Sequence, residues 1–350
     1  MGLKLTHYRQ IDDIDAVAYT DLWASCGEPA FYHPALLLAA QQHPLLGTNG
    51  VHYLAAWDEE QLKALLVVYQ QQNPDPFGTL GKTTGINFDG RGGLLGHIAH
   101  CYDSRLLLRP GNNSAATVLL ESLRALAAEL QIPNCGLINV GDPASLTAAE
   151  RAGYAVKYMH DRYIIDLTYY RTFDDYVGKL PRHGRQEMKR QLRKFNTEGG
   201  RALILRADET DLAAAAKLCH VTSARNGTPH YYPEEAFTRF LGMCGDLISV
   251  ISVQVDGHQV AAVICLREPC RLHLWAGGVV YTHSDFSPYT VMIAAGIQHA
   301  FVQRIPLIEA GRTNARIKAR LGCRPKPLYS VLHNDACSTK GDRSHATDTM

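Results

Sequence analysis

Read for hydrophobic periodicity, this chain sets out one order of elements twice, so any fold it adopts has to hold two copies of the same unit. In the C-terminal half, residues 247–280 contain two apolar, β-branched runs on either side of Asp256-Gly257, a dipeptide that strongly marks a two-residue hairpin. A third run follows the Glu268-Pro269-Cys270 turn, and the segment reads as a three-stranded antiparallel meander. Residues 287–304 open with Ser-Pro and carry Val291, Ala294, Ala295, Ile297 and Phe301 at helical spacing. A short strand (PLIEAG), a brief helix (RTNARIKARLGC) and a closing strand (KPLYSVLH) complete this half. The N-terminal half repeats the order. Residues 51–70 read as strand, Asp-Glu turn and strand; residues 104–132 as strand, Gly-Asn loop and a helix with Val118, Leu119, Leu123, Leu126 and Leu130 on one side. CGLINV is then a strand, LTAAERAG a short helix stopped by Gly153, and YMHDRYIIDL a closing strand. The simplest account is an internal duplication of one α/β unit. The expected architecture is α/β (α+β): two tandem subdomains over 1–168 and 201–335, each a mixed or antiparallel sheet flanked by helices. Linking helices fill 169–200, and 336–350 form a polar, disordered tail.

The segment between the halves carries the strongest charge signal. Phe173, Tyr176 and Leu180 have helical spacing, Pro181 interrupts, and a helix begins near Arg182 and stops at Gly199-Gly200. From Arg182 to Lys194 it holds six Lys or Arg against Glu187, in a chain of 350 residues whose net charge is only +1. Arg185, Lys189 and Arg193 follow one another at i, i+4 and i+8 and share a face, with Arg182 a turn earlier. Such a row is either a solvated face or a holder of successive phosphates. Like charges at i, i+4 repel, so an anionic partner is favoured; RNA and the phosphates of coenzyme A both answer the description.

Two stretches carry a family resemblance. FDDYVGKLPRHGRQEMKRQLRKFNTEGG resembles the aromatic, Leu, Arg-rich helix and Gly segment of FemAB-like acyltransferases. LIEAGRTNARIKARLGCRPKPLYSVLH is similar to their closing segment, in which an acidic residue and Gly precede a Lys, a Gly and a Pro-containing turn. With the meander between them, the order resembles a duplicated GNAT fold over roughly residues 10–333. The resemblance implies an enzyme joining an acyl group to an amine. Its donor would be aminoacyl-tRNA or acyl-CoA as co-substrate, its acceptor a small-molecule or peptide amine, and it would hold no tight cofactor. Two departures qualify the match. No long coiled-coil arm of the Fem peptidyltransferases is present, and the (R/Q)xxGxG/A pyrophosphate loop of ordinary GNAT enzymes has no clean copy. The counterparts here are Arg109-Pro110-Gly111-Asn112-Asn113-Ser114 and SDFSPY, which shifts the expected donor toward aminoacyl-tRNA.

Within that frame the candidate site residues follow. Lys318 is placed to stabilise an oxyanion or hold a donor phosphate, and Glu309 to accept a proton from the attacking ammonium, against a structural reading in which Glu309 simply pairs with a neighbouring Arg. Arg312 and Asn314 join Arg182, Arg185, Lys189 and Arg193 as donor-binding candidates. The loop RNGTPHYYPEEAF offers His230 as a base and Tyr231 and Tyr232 as acceptor contacts, or else merely caps a helix starting near Pro233. Trp275 sits mid-strand, where core packing competes with a substrate role, although Gly277-Gly278 beside it allows close ligand approach. In the first half, Tyr102 and Asp103 fall in a long loop region and complete the acceptor set.

The remaining composition excludes several classes. Nine cysteines without a CxxC pair read as scattered thiols of a reducing cytoplasm, and sixteen histidines without HxxxH or HExxH spacing give no metal site. No run of eighteen apolar residues predicts a membrane span, and the first residues lack the apolar core of a signal peptide. The expectation is a cytoplasmic acyltransferase that binds no DNA, does not insert stably into a membrane and engages tRNA through the basic helix. The alternative is a non-catalytic RNA-binding or regulatory protein on the same fold.

Overall fold

A computed structural model describes residues 2–76, 78–88, 90–97, 101–281 and 285–334; the expected tail lies outside them. The chain divides into two compact units, one built from residues up to 26, 46–159 and from 328 onward, the other from 27–45 and 160–327.

The first unit opens with β1 (Lys4–Tyr8) and α1 (Ala16–Ser25), after which the chain supplies α2 (Pro34–Gln42) to the second unit. It continues through the hairpin of β2 (Thr48–Asp58) and β3 (Gln61–Gln71), α3 (Thr79–Thr84), β4 (Gly93–Leu95) and β5 (Leu107–Leu108). Then follow α4 (Asn113–Glu129), β6 (Asn134–Val140), α5 (Pro143–Arg151) and the start of β7 (Ala155–Asp166). The strands pair in the order β1-β2-β3-β4-β6, with β5 also beside β3. Every neighbour is antiparallel except β4 and β6, whose parallel pairing requires a crossover, and α4 lies in the connection that makes it. The stripe Leu119, Leu123 and Leu126 on α4 is buried against Leu54, Leu66 and Val68 of the sheet.

The second unit continues from β7 with α6 (Phe173–Lys179), α7 (Arg182–Thr197), β8 (Arg201–Arg206), α8 (Leu212–Arg225) and α9 (Glu234–Cys244). The meander follows as β9 (Ile248–Val255), β10 (His258–Glu268) and β11 (Arg271–Val279). After it come α10 (Pro288–Gln303), β12 (Leu307–Glu309), α11 (Ala315–Arg320) and β13 (Arg324–Asn334), whose last residues pair with β6 of the first unit's sheet. Asp256 at φ 50° and Gly257 at φ 78° form the two-residue turn between β9 and β10, both in the left-handed region such a hairpin needs. The strand order is β7-β12-β11-β10-β9-β8, and here too a single pair is parallel, β11 with β12, connected through α10. Each half thus repeats a hairpin or meander followed by a helix-connected parallel strand, which is the duplication read in the sequence. Val291, Ala294 and Ile297 of α10 pack with Ile251, Val263, Leu272 and Ile308 to form the core on one face of this sheet.

The basic helix is anchored by its uncharged positions. Gly184, Met188, Gln191 and Phe195 recur at helical spacing and are buried. A β-carbon on Gly184 would overlap the Arg320 carbonyl, so that glycine is what lets α7 lie against α11. The Gln191 side-chain carbonyl accepts the Ser287 N–H at 2.7 Å, where Ser287 caps α10, and the Tyr176 hydroxyl donates to the Leu321 carbonyl. Pro181, at ψ 145°, separates α6 from α7 where the sequence expects an interruption. Gly278 has a different use from the one its sequence context suggested. A β-carbon there would run into the Leu218 and Cys219 backbone, so its bareness admits helix α8.

Candidate active site

The site begins with the shortness of β12. After Glu309, Gly311 adopts φ 73° and turns the chain away, while Ala310 N–H donates to the Tyr163 carbonyl at 2.8 Å and Tyr163 N–H to Gly311 at 2.9 Å. Asn314, left-handed at φ 62°, then opens α11, and its carbonyl accepts the Lys318 N–H at 3.0 Å. These turns place two ionisable residues inside protein. Glu309 is 0 % exposed and Lys318 only 2 % exposed.

Their surroundings set their charges. The Lys318 ammonium lies 5.3 Å from the Tyr163 ring centroid. Burial pulls its pKa down from 10.5 to about 8; Cys323 and Glu309 oppose that pull and Arg312 adds to it. Cys323 is itself pushed up to about 12 by burial, so its sulfur stays a thiol. Arg162 of β7 brings its Nε to 3.6 Å from a Glu309 oxygen. On the neighbouring parallel strand His273 is the register partner of Glu309, and it contacts Glu268 at 2.8 Å. Arg271 lies 3.7 Å from the same carboxylate. A buried row of ionisable groups therefore crosses β10, β11, β12 and β7.

An aromatic wall adjoins this row. Trp275 meets Phe31, Tyr232, Phe237 and Phe240 at ring distances of 6.0, 6.4, 5.6 and 6.1 Å. Burial pushes the Tyr232 phenol up, Cys219 reinforces this, and Arg312 partly offsets it. The same Arg312, after burial, helps hold His160 down at about 4. Arg312 thus connects Tyr232, His160 and Lys318 electrostatically.

Glu309, Lys318, Arg312, Tyr232 and Trp275 therefore come together from the sequence candidates. Tyr231 touches this group through Tyr232, at 6.2 Å between rings. His230 is exposed, and no hydrogen bond or ion pair among the described residues joins it to Glu309 or Lys318. Tyr102 and Asp103 are buried in the first unit, where Asp103 forms an ion pair with Arg105.

The basic face of α7 divides by use. Arg185 donates to the Gly178 carbonyl at 2.8 Å and closes the end of α6; Arg190 forms two hydrogen bonds with Glu187; Lys194 reaches the Asp285 carbonyl at 3.0 Å. Arg182, Lys189 and Arg193 are exposed and take part in no ion pair among the described residues. Lys189 and Arg193, with Asn196 and Thr197, line a groove of about 480 Å³ between α6 and α7, floored by Phe173, Val177 and Leu192 and edged by Asp174.

With this geometry in view, residues 182–319 match the family model described as an acetyltransferase (GNAT) domain. The chain carries a GNAT acyltransferase domain. That domain contains α7 and the Glu309–Lys318 site, and GNAT domains use acyl-CoA as a co-substrate without a tightly bound cofactor. No curated protein matches the chain by sequence. Solved structures share its fold along almost the whole length. FemX aligns at TM-score 0.63 and 11% identity, covering 97% of this chain and 100% of its own. The C-terminal domain (DUF2156) of a putative lysylphosphatidylglycerol synthetase from Agrobacterium fabrum aligns at 0.58 and 11%, covering 93% and 94%. A tandem GNAT protein from the clavulanic acid biosynthesis pathway aligns at 0.56 and 12%, covering 94% and 97%. These likenesses establish the tandem GNAT fold.

In the buried row, Arg162, Arg271 and His273 went unremarked in the sequence, and Glu268 was read only as part of a turn. Their signal was present as charged residues in strands otherwise rich in Val, Ile and Leu, with Arg271, His273 and Trp275 at alternating positions that share one face. Among the described residues no helix is long and apolar enough to cross a membrane.

Proposed function

We propose that this acyltransferase forms an amide by passing an acyl or aminoacyl group from a phosphate-bearing donor to the nitrogen of a small-molecule or peptide amine. The observation that carries the reading is the pair of buried ionisable side chains at the β12–α11 turn, Glu309 and Lys318, inside the GNAT-matched segment. The amine nitrogen attacks the donor carbonyl, a C–N bond forms, and the C–S bond of a thioester or the C–O bond of an aminoacyl ester breaks. Glu309 takes the proton released by the ammonium. Lys318, with its ammonium weakened to about 8, stabilises the oxyanion and can hand a proton to the departing sulfur or oxygen. Alignment of amine and carbonyl supplies much of the acceleration, so no covalent enzyme intermediate is required.

Donor phosphates are assigned to Arg182, Lys189 and Arg193 of α7, with Arg312 nearer the reacting carbonyl. Arg185, committed to Gly178, and Asn314, which starts α11, support that surface structurally. Tyr231, Tyr232 and Trp275 form the acceptor wall; His230, offered by the sequence as a base, and Tyr102 and Asp103, offered as acceptor contacts, do not join the buried row and take no part in this step. Acyl-CoA is the donor the family match favours, and aminoacyl-tRNA the one suggested by the cationic helix and the fold shared with FemX.

The test is binding of coenzyme A thioesters and of charged tRNA across a salt series, with wild type and the Lys189→Ala/Arg193→Ala variant, followed by product analysis with an amine panel. Each lost phosphate contact is expected to reduce the salt slope by about one. Release of free thiol together with an N-acylated amine identifies the thioester donor; amine-dependent deacylation of tRNA identifies the other. Binding of neither donor at any salt concentration would overturn the proposal.

A further inference from the structure

Glu309 poses a problem that its own surroundings do not solve. A fully buried carboxylate that takes a proton in each turnover has to lose it again, and it has no exposed surface of its own. Resting on the reading of Glu309 as the proton acceptor, we infer that His273 and Glu268 form a relay that carries this proton across the sheet to solvent.

The geometry has a direction. The strands lie in the order β10-β11-β12, and Glu268, His273 and Glu309 stand on these three neighbours. His273 and Glu309 are register partners of a parallel pair, so their side chains leave the sheet on the same face, on strands about 4.8 Å apart. On the other side, the His273 Nε2 lies 2.8 Å from Glu268 Oε1. An ionised carboxylate only accepts, so Nε2 carries the hydrogen and Nδ1 is the basic nitrogen of the neutral ring. Exposure rises from 0 % at Glu309 and His273 to 8 % at Glu268, which ends β10 at the turn bearing the exposed Cys270. In the relay, Glu309 passes its proton to His273 Nδ1, Nε2–H passes its proton to Glu268 Oε1, and Glu268 releases it to water at that turn. Loss of the Nδ1 proton and recovery of one at Nε2, by exchange with water, restores the starting tautomer.

Two members of the relay are held in place. Ala30 N–H donates to Glu268 Oε1 at 3.0 Å, and Phe31 stands edge-on to His273 at 5.4 Å. The charged groups around the imidazole are Glu268 and Arg271 on its own hairpin, Glu309 on β12 and Arg162 on β7. Burying two carboxylates beside an imidazole within a sheet carries a desolvation cost that apolar side chains of the same size would not. The competing role is mechanical: the His273–Glu268 pair pins the segment at residues 30–32 onto the β10–β11 hairpin. His273 and Glu268 act through Glu309, so both are positioning residues.

Two measurements decide between these roles. The first needs no substrate: nitrogen NMR of the histidine rings in wild type and in Glu309→Gln. The relay predicts that removing the Glu309 carboxylate moves the His273 ring-nitrogen resonances and changes the share of the ring carrying hydrogen on Nδ1. Unchanged His273 resonances would overturn it, whether or not acyl transfer has been found. The second is kinetic, on Glu268→Gln, which keeps an acceptor for His273 but takes no proton at neutral pH, and on His273→Gln. The expected result is a fall in kcat of tenfold or more, KM for both substrates within twofold, and a larger solvent isotope effect. A changed melting temperature and KM with an unaltered isotope effect would show a purely mechanical pair and refute the relay. Failure of wild type to acylate any amine would count against Glu309 as base, a result distinguishable from relay failure because the NMR spectrum is read independently.

Discussion

Replacing Lys318 by Met tests whether the site is maintained at the expense of stability. The side chain is almost completely enclosed, and its pKa falls from 10.5 to about 8 chiefly because burial disfavours the ammonium. At about 1.4 kcal/mol for each tenfold change, keeping Lys318 protonated in the folded protein at pH 7 costs roughly 3 kcal/mol. The direction with pH follows from proton counts. Below about pH 8 both folded and unfolded chains hold the proton and the whole cost is present. Between about 8 and 10.5 the folded protein has lost it while the unfolded chain keeps it, so stability rises with pH; above 10.5 both are neutral and the cost is gone. Lys318→Met removes this dependence but also removes the contact with Tyr163, worth about 0.5–2 kcal/mol. The variant is therefore expected to be more stable than wild type at pH 7 by roughly 1–3 kcal/mol while losing acyl transfer. Urea unfolding of both proteins from pH 7 to 10 reads the effect. Wild type should gain about 2–3 kcal/mol relative to the variant over that range. A stability difference that stays constant with pH would show that the ammonium is not strained by burial, and the proposed role of Lys318 as a weakened acid would lose its physical basis.

Other expectations follow from particular contacts. Gly184→Ala should lower the melting temperature, with a cost of about 1–3 kcal/mol, because its β-carbon meets the Arg320 carbonyl; an unchanged melt would refute the close packing of α7 on α11. Arg185→Met should cost about 0.5–1.5 kcal/mol through the lost bond to Gly178, whereas Lys189→Met should leave the unfolding midpoint in place; equal effects would contradict the division of the basic face. His52, buried beside Arg9 and His7 in the first unit, is held down at about 4, so the unfolded chain binds a proton that the folded one refuses between pH 6.5 and about 4. Stability should fall through that window as the pH is lowered, by up to roughly 3 kcal/mol, and His52→Gln should flatten this part of the profile in acid unfolding experiments.

The duplicated order of strands and helices was legible because long β-branched runs, a left-handed Asp-Gly turn and a Ser-Pro helix start are local signals. The same reading passed over α1, α2, β1 and β8, and it was silent on α8, for an identifiable reason. The buried face of α8 consists of Ala215, Ala216, Cys219 and Ser223, small residues selected by the close approach to Gly278 and too weakly apolar to mark a stripe. Segment 27–45 joins the second unit although it precedes most of the first in the chain, and no local pattern encodes that exchange. At the site, Glu309, Lys318 and Arg312 were accessible from the sequence because they crowd one short segment. His273, Glu268 and Arg162 were not, since their proximity to Glu309 depends on strand register.

The sequence by itself determined the repeated strands and helices of the two halves, that the unit is duplicated, and that one helix carries an excess of cations, because each of these depends on neighbours within a few residues. Tertiary structure alone decided what the charges do. It committed Arg185 to a carbonyl and left Lys189 and Arg193 exposed, since packing of Gly184, Met188, Gln191 and Phe195 fixes which way α7 faces. It also placed Lys318 out of water beside Tyr163 and set Glu309 next to His273, because desolvation and cross-strand distance arise only when segments far apart in the chain meet.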